Sequence, residues 1–147
     1  MGLDMYLTGK RHVYFVDDAQ RKKLKTAGNA FDCEITAIEF KAAYWRKANA
    51  IHKWLVDNVQ KGEDDCNSYP VSKYDLLALR NLCAELLEYK NPEVAAKKLP
   101  PQEGFFFGST AIDEEYWQDL QDTVEQITAL EKRPDFGDLD FEYNSSW

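Results

Sequence analysis

The sequence has few of the residues that bring reactive or cross-linking chemistry to a protein. It holds three cysteines among 147 residues, none of them in a CxxC pair, and two histidines. An odd number of separated cysteines is typical of a reducing compartment, and Cys83, on the apolar stripe of a predicted helix, is expected to be an ordinary core residue. No GxSxG, P-loop, HExxH or dinucleotide-binding motif is present. The sequence therefore shows no catalytic signature, and we expect no cofactor.

Metal-binding motifs and membrane-spanning stretches are also lacking. The Asp-Asp-Cys run at residues 64–66 has neither the spaced oxygen ligands nor the terminal Glu of an EF-hand, and no His lies close to it in sequence. We therefore expect no metal. No apolar run approaches the ~20 residues that a membrane span needs, and residues 1–10, interrupted by Asp4, do not resemble a signal peptide. The expected location is the cytoplasm, without membrane association.

Charge is abundant but unevenly distributed. The net charge is −8, and it divides into +4 for residues 1–61 and −12 for residues 62–147. So acidic a chain is a poor candidate for binding the phosphate backbone of DNA, and no direct DNA binding is expected. Besides simple solubility, two interpretations stay open: a local basic pocket that holds a small anion, or an acidic face that meets a basic partner.

The chain is expected to form one α+β domain over residues 1–147. Hydrophobic residues make up 44% and aromatic residues 14% of the sequence, which is enough to bury a core. Alternation at Leu3, Met5 and Leu7 predicts a strand. Further strands are predicted at residues 12–16, 31–40 and 139–143, with a solvated loop at residues 17–30.

Apolar spacing predicts three helices between these strands. They cover residues 43–59, residues 72–89 behind a Ser72 cap, and residues 113–132. The expected fold is a small antiparallel sheet, made of the N-terminal strands and the C-terminal strand, packed against about three helices. Chain termini often lie close together, so the first and last strands are expected to pair.

One flank of the predicted helix at residues 43–59 carries side chains suited to a ligand. Trp45, Asn49 and His52 share a face, and Arg46 lies beside it. Arginine supplies a planar fork for phosphate, tryptophan a stacking plane, and asparagine a hydrogen-bonding edge for a base. The alternative is a buried aromatic face in which His52 bonds to a backbone carbonyl. Both interpretations stay open at this point.

The segment Gly-Phe-Phe-Phe-Gly-Ser-Thr at residues 104–110 precedes the last helix. A helix N-terminus attracts anions, but acidic residues fill the first turn here and would repel phosphate. We expect Phe105 to Phe107 to form a buried strand or an aromatic hinge against the first helix, while the hydroxyls of Ser109 and Thr110 are candidates for a pocket wall. The acidic residues of helix 113–131 predict either a solvated outer face, or a surface that imitates nucleic acid or docks a basic protein.

Three motifs resemble a family of small bacteriophage and prophage proteins. They are MGLDMYL at residues 1–7, YWRKANAIHKW at residues 44–54 and GFFFGST at residues 104–110. The resemblance spans nearly the whole chain, with residues 17–32 the most divergent. It implies no particular activity, but it does imply a phage setting, in which small accessory proteins often counter host defence. The expected location then becomes the cytoplasm of the host cell.

The polar residues within these motifs are more typical of a site than of a core, because buried polar groups cost free energy unless they are paired. The predicted ligand-binding set is Trp45, Arg46, Asn49, His52, Ser109, Thr110 and Asp4. The first hypothesis is a protein that binds a small phosphorylated or nucleotide-like ligand. The second is an acidic inhibitor of a host protein that acts through helix 113–131. The third is a small hydrolase with His52 as general base. The sequence leaves catalysis undecided and is compatible with a homo-oligomer.

Overall fold

A four-stranded antiparallel sheet forms the centre of the computed structural model, which describes residues 2–147. The strands are β1 (Asp4–His12), β2 (Ala37–Arg46), β3 (Tyr69–Val71) and β4 (Leu139–Ser146). Their order across the sheet is β2-β1-β4-β3, and each neighbouring pair is antiparallel. The first and last strands therefore pair in the middle of the sheet, as the sequence predicted.

Five helices accompany the sheet within residues 2–147. They are α1 (Asp18–Ala30), α2 (Asn49–Asn58), α3 (Lys73–Tyr89), α4 (Pro92–Lys98) and α5 (Glu114–Glu131). The predicted α+β class and antiparallel sheet are confirmed, with five helices in place of about three. Within the same residues, no helix has the length and apolar character needed to cross a bilayer.

The core lies between one face of the sheet and the helices. Met5 and Leu7 on β1, and Phe141 and Tyr143 on β4, point to this face, because alternate side chains of a strand share a side. The helices cover these residues with buried leucine and isoleucine side chains: Ile51, Leu55, Leu76, Leu79, Leu120 and Ile127. The alternate apolar residues predicted for the first and last strands are thus the residues that form the sheet side of the core.

The prediction of a loop at residues 17–30 is wrong, because these residues form α1. Nearly all α1 side chains are exposed, so the apolar periodicity that signals a packed helix is missing. A capping box stabilises the start of the helix. The Asp17 carboxylate accepts a hydrogen bond from the Gln20 amide at 2.7 Å, and the Gln20 side chain accepts one from the Asp17 amide at 3.2 Å.

Two predicted strands lie elsewhere along the chain. The strand at residues 12–16 is wrong, because β1 ends at His12 and Val13–Phe15 form a 3-10 turn. The strand predicted at residues 31–40 instead begins at Ala37 and continues to Arg46. It pairs with the whole of β1, with a register shift that accommodates one extra residue.

The helix predicted at residues 43–59 begins only at Asn49. Trp45 and Arg46 belong to β2, where Trp45 pairs with Met5. Lys47, with φ at 57°, turns the chain from the strand into α2. The spacing was misleading because buried Ala43 and Trp45 fit the alternation of a strand as well as the edge of a helical stripe.

The later helices agree more closely with the sequence. The Ser72 hydroxyl caps α3 by accepting a hydrogen bond from the Asp75 amide at 3.0 Å. The predicted helix at residues 113–132 corresponds to α5, which Asp113 caps. Helix α4 was not predicted because it is only seven residues long; Asn91 caps it and Pro92 occupies its first turn.

Candidate functional site

A cleft of about 310 Å³ lies where the end of β2, the start of α2, residues 108–111 and the first turns of α5 meet. This volume falls at the lower end of the range of small-molecule sites, about 300–1,000 Å³. Charged and polar side chains that line the cleft include Arg46, Lys47, Asn49, Ser109, Glu115 and Asp119. Three of the seven predicted ligand-binding residues are therefore brought together here.

A larger groove of about 710 Å³ crosses the open face of the sheet. In this groove cations lie directly beside acids: Lys10 is opposite Asp140 in the sheet, and His12 Nε2 is 3.4 Å from an Asp140 oxygen. Among the described residues that line the smaller cleft, the cations and carboxyl groups form no ion pair with one another. The smaller cleft is therefore the better candidate for a ligand.

Two cations at the cleft have side chains available to an anion. Arg46 is 57% exposed, and its nearest carboxylate oxygen, on Asp4, is 3.8 Å away, too far for a strong hydrogen bond. Lys47 is exposed and forms no ion pair within the described residues 2–147. A guanidinium and an ammonium on adjacent residues at the rim are a suitable arrangement for a phosphate or carboxylate group.

The Asp119 carboxyl lines the cleft from a different element and is half-buried in the second turn of α5. Burial raises its pKa to about 7, and the nearby acids Asp122, Glu115 and Asp113 act in the same direction. No side-chain hydrogen bond or ion pair compensates this carboxyl among residues 2–147. A carboxyl group in a cleft, with its pKa shifted toward neutrality, is a recognised mark of a functional site.

Asn49 holds the loop that forms one wall of the cleft. Its side-chain nitrogen donates to the carbonyls of Phe107 at 3.1 Å and Ser109 at 2.9 Å, and its side-chain oxygen accepts from the Gln102 amide at 3.0 Å. Asn49 is itself 5% exposed. Three of its four hydrogen-bonding positions are thus used within the protein, so Asn49 positions the wall and is not free to read a base.

The same wall depends on close contact between Gly108 and Lys47. Gly108 has φ at 92°, and a Cβ atom there would lie 3.2 Å from the Lys47 Cβ. Both the backbone conformation and the contact distance favour glycine over other residues. The second glycine of the GFFFGST motif therefore lets the loop approach the turn between β2 and α2.

Trp45 lies in the core. It is 4% exposed, and its indole nitrogen donates to the Thr123 hydroxyl at 2.9 Å. That hydroxyl donates in turn to the Asp119 carbonyl at 2.7 Å. Trp45 thus anchors α5 to the sheet behind the cleft, and its ring face is covered by protein.

His52 is fully buried between two polar partners. Its Nδ1 is 2.6 Å from the Tyr143 hydroxyl, and its Nε2 is 2.9 Å from an Asp64 oxygen. Burial raises the pKa of Tyr143, so the hydroxyl beside Nδ1 keeps its proton. In the tautomer that carries its proton on Nε2, the ring donates to Asp64 and accepts from the Tyr143 hydroxyl. Both ring nitrogens are occupied, which leaves none for a substrate.

The remaining predicted residues lie near the rim. Asp4 accepts a hydrogen bond from the Tyr44 hydroxyl, and this bond is the main cause of the raised pKa of Tyr44. Asp4 does not belong to the residues that line the cleft. The Ser109 hydroxyl oxygen accepts from the Ala111 amide at 3.0 Å and keeps a proton to donate. Thr110 is exposed beside the lining residues but does not belong to them.

Lys47 and Asp119 are cleft residues that were not in the predicted ligand-binding set, although Asp119 was among the acids predicted for an outer face of helix 113–131. Lys47 lies within the YWRKANAIHKW motif but off the face it suggested, because the chain turns there from strand to helix. Asp119 follows Tyr116 by three residues and precedes Thr123 by four, both of them buried. That spacing places Asp119 beside the apolar stripe of α5 and not on the outer face of the helix. It is the sequence signal from which the position of Asp119 could have been predicted.

Comparison of the chain with protein-family models, curated proteins and solved structures found no match in any of the three.

Proposed function

We propose that this protein binds a small phosphorylated, nucleotide-like ligand in the cleft between β2, α2 and α5. The pair of cations at the rim, Arg46 and Lys47, carries the proposal. Arg46 holds the anionic group through its planar fork, and Lys47 adds a point charge. The Ser109 hydroxyl donates a further hydrogen bond from the loop at residues 108–111.

The volume of the cleft, about 310 Å³, fits a ligand larger than phosphate alone. A second set of polar groups in the lining comes from the first turns of α5, a different element from the two cations. A nucleotide also has two kinds of polar group, an anionic phosphate and a hydrogen-bonding base. Asn49 and Gly108 keep the loop wall of the cleft in place.

The resemblance to small phage and prophage proteins supports a biological role for such binding. In an infected cell, a protein of this kind would sequester a nucleotide signal used in host defence. No catalytic step is needed for that role. The buried state of His52 and the use of both its nitrogens favour binding over a hydrolase that relies on His52.

Isothermal titration with nucleoside mono-, di- and cyclic phosphates tests the proposal. Arg46→Gln and Lys47→Gln should each weaken binding about tenfold or more, since each removes a charge-assisted hydrogen bond. Lys22→Gln is the matched control, because Lys22 is exposed on α1, outside the cleft. Absence of binding at millimolar concentration across the panel, or equal effects of all three substitutions, would contradict the proposal.

A second candidate function is capture of a basic host protein by α5. Asp122 and Glu125 accept hydrogen bonds only from Gln118 and Gln121 of the same helix and form no ion pair in residues 2–147. Reversal of both charges to lysine should then abolish capture of the partner from host lysate. If the variant still captures the partner, these two carboxylates serve only as a solvated surface of α5.

A further inference from the structure

The cleft carries cations and carboxyl groups on different elements. Arg46 ends β2 and Lys47 lies in the turn that follows, whereas Asp119 and Glu115 come from α5. The start of α2 and residues 108–111 contribute no charged side chain to the lining. A ligand that fills the cleft therefore meets cations from β2 and its turn, and carboxyl groups from α5.

The Asp119 carboxyl receives no hydrogen bond within the described residues, because the nearby Gln118 amide donates to Asp122 instead. Asp119 is half-buried, and no side chain or amide in residues 2–147 donates to its carboxylate. Its acidic neighbours Asp113, Glu115 and Asp122 supply acceptors alone when ionised. A half-buried carboxylate without donors is costly, so a ligand that supplies donors gains the largest free energy here.

We propose that the base of the bound nucleotide presents two adjacent N–H donors to the Asp119 carboxylate, as the Watson–Crick edge of guanine does. This inference rests on the proposed function, because it needs the phosphate to be held by Arg46 and Lys47. A carboxylate has two parallel acceptor oxygens, and the ring N–H and exocyclic amino group of guanine are two parallel donors. Hypoxanthine keeps only the ring donor, and the corresponding edge of adenine has one donor and one acceptor.

Proton linkage follows from the state of Asp119 without ligand. The carboxyl has its pKa raised to about 7 by burial and by its acidic neighbours. Guanine binds the ionised form, so its binding releases a proton below pH 7 and strengthens as the pH rises through 7. Adenine would fit the protonated form, whose hydroxyl donates while its carbonyl accepts, and its binding would strengthen as the pH falls.

The experiment compares GMP, IMP and AMP by isothermal titration at pH 6 and pH 8. At pH 8, GMP should bind the wild-type protein about tenfold more tightly than IMP or AMP, because each of these lacks a charge-assisted hydrogen bond that GMP makes to Asp119. GMP should bind about tenfold more weakly at pH 6 than at pH 8. Titration in buffers of different ionisation enthalpy should show proton release at pH 6.

Asp119→Asn provides the matched variant, because an amide has the same shape but one donor and one acceptor. The Asp119→Asn variant should no longer prefer GMP and should bind AMP more tightly than GMP. Circular dichroism checks that the variant is folded. The residual pH dependence of the variant reports the titration of the ligand phosphate, whose second pKa is about 6. Subtraction of this residual isolates the contribution of Asp119.

The outcomes separate the two proposals. If AMP or IMP binds wild type as tightly as GMP, or if Asp119→Asn retains the preference for GMP, the assignment of the base is wrong. Binding that still depends on Arg46 and Lys47 would then leave the proposed function standing. If none of the three nucleotides binds, the assignment of the base fails, and the proposed function fails too when the nucleoside di- and cyclic phosphates of the wider panel do not bind.

Discussion

The Tyr143 hydroxyl and the His52 imidazole meet at 2.6 Å in the interior of the protein. Tyr143 lies on the last strand and His52 on α2, 91 residues apart in sequence. Asp64 accepts from the far side of the imidazole and also accepts from the indole of Trp147 at 3.0 Å. The chain of bonds from Tyr143 to Trp147 joins β4, α2 and the loop before β3.

Removal of the Tyr143 hydroxyl should destabilise the protein. Tyr143→Phe leaves the Nδ1 of buried His52 without a partner, at a cost of about 1–3 kcal/mol in free energy of unfolding. Urea denaturation measures the difference. Tyr74→Phe is the control, since Tyr74 is 80% exposed, and it should change stability by less than about 0.5 kcal/mol. Equal effects of the two substitutions would mean that the buried bond contributes little.

Asn49→Ala should loosen the cleft wall and destabilise the fold. The substitution removes hydrogen bonds to Phe107, Ser109 and Gln102, and we expect a loss of about 2–4 kcal/mol. Hydrogen exchange should show faster exchange at the Gln102 amide. Asn58→Ala, which removes one bond within exposed α2 residues, is the matched control. An unchanged exchange rate at Gln102 would show that the wall is held by other contacts.

Asp119→Asn should stabilise the protein in a pH-dependent manner. The pKa of Asp119 is raised from the unfolded value of about 3.9 to about 7 in the fold. Between these values the folded state binds more protons than the unfolded state, so rising pH costs stability. The variant does not lose stability in this way. After allowance for solvent screening, its free energy of unfolding should exceed that of the wild type by about 1–2 kcal/mol above pH 7. Thermal unfolding from pH 4 to pH 8 measures the difference, and an advantage that does not grow with pH would contradict the prediction.

Lys90→Gly should stabilise the end of α3. Lys90 is the C-cap and has φ at 47°, a left-handed conformation that costs a non-glycine residue free energy. Glycine relieves this strain, so the free energy of unfolding should rise by about 0.5–1 kcal/mol. Ala84→Gly, at an exposed position inside the same helix, should instead lower it by about 1 kcal/mol. A decrease at both positions would indicate that the Lys90 side chain makes a compensating contribution.

The sequence predicted the features that depend on local pattern. Alternation identified the first and last strands, and apolar spacing with a cap identified α3 and α5. Prediction from the sequence failed where something other than apolar periodicity decided the structure. Helix α1 is stabilised by capping without an apolar stripe, and Lys47 ends a strand inside a segment with helical spacing.

The candidate site could be predicted only in part. Arg46, Asn49 and Ser109 do line the cleft, but the roles of neighbouring residues depend on contacts between distant parts of the chain. Trp45 binds Thr123 at a separation of 78 residues, and no local pattern predicts that pair. For the same reason, Asp119 was grouped with the acids of an outer helix face, although the packing of α5 turns it into the cleft.

The position of β4 between β1 and β3 has a consequence for synthesis. Strands β1 and β2 can pair early, but β3 pairs only with β4 among the described strands and has no partner until residues 139–146 emerge from the ribosome. Until then, the edge of β1 that β4 covers stays open on the nascent chain. Sheet completion is therefore a late step that joins distant residues, and such steps are slow and prone to aggregation. A chaperone that shields this edge would act during translation, before the last strand is made.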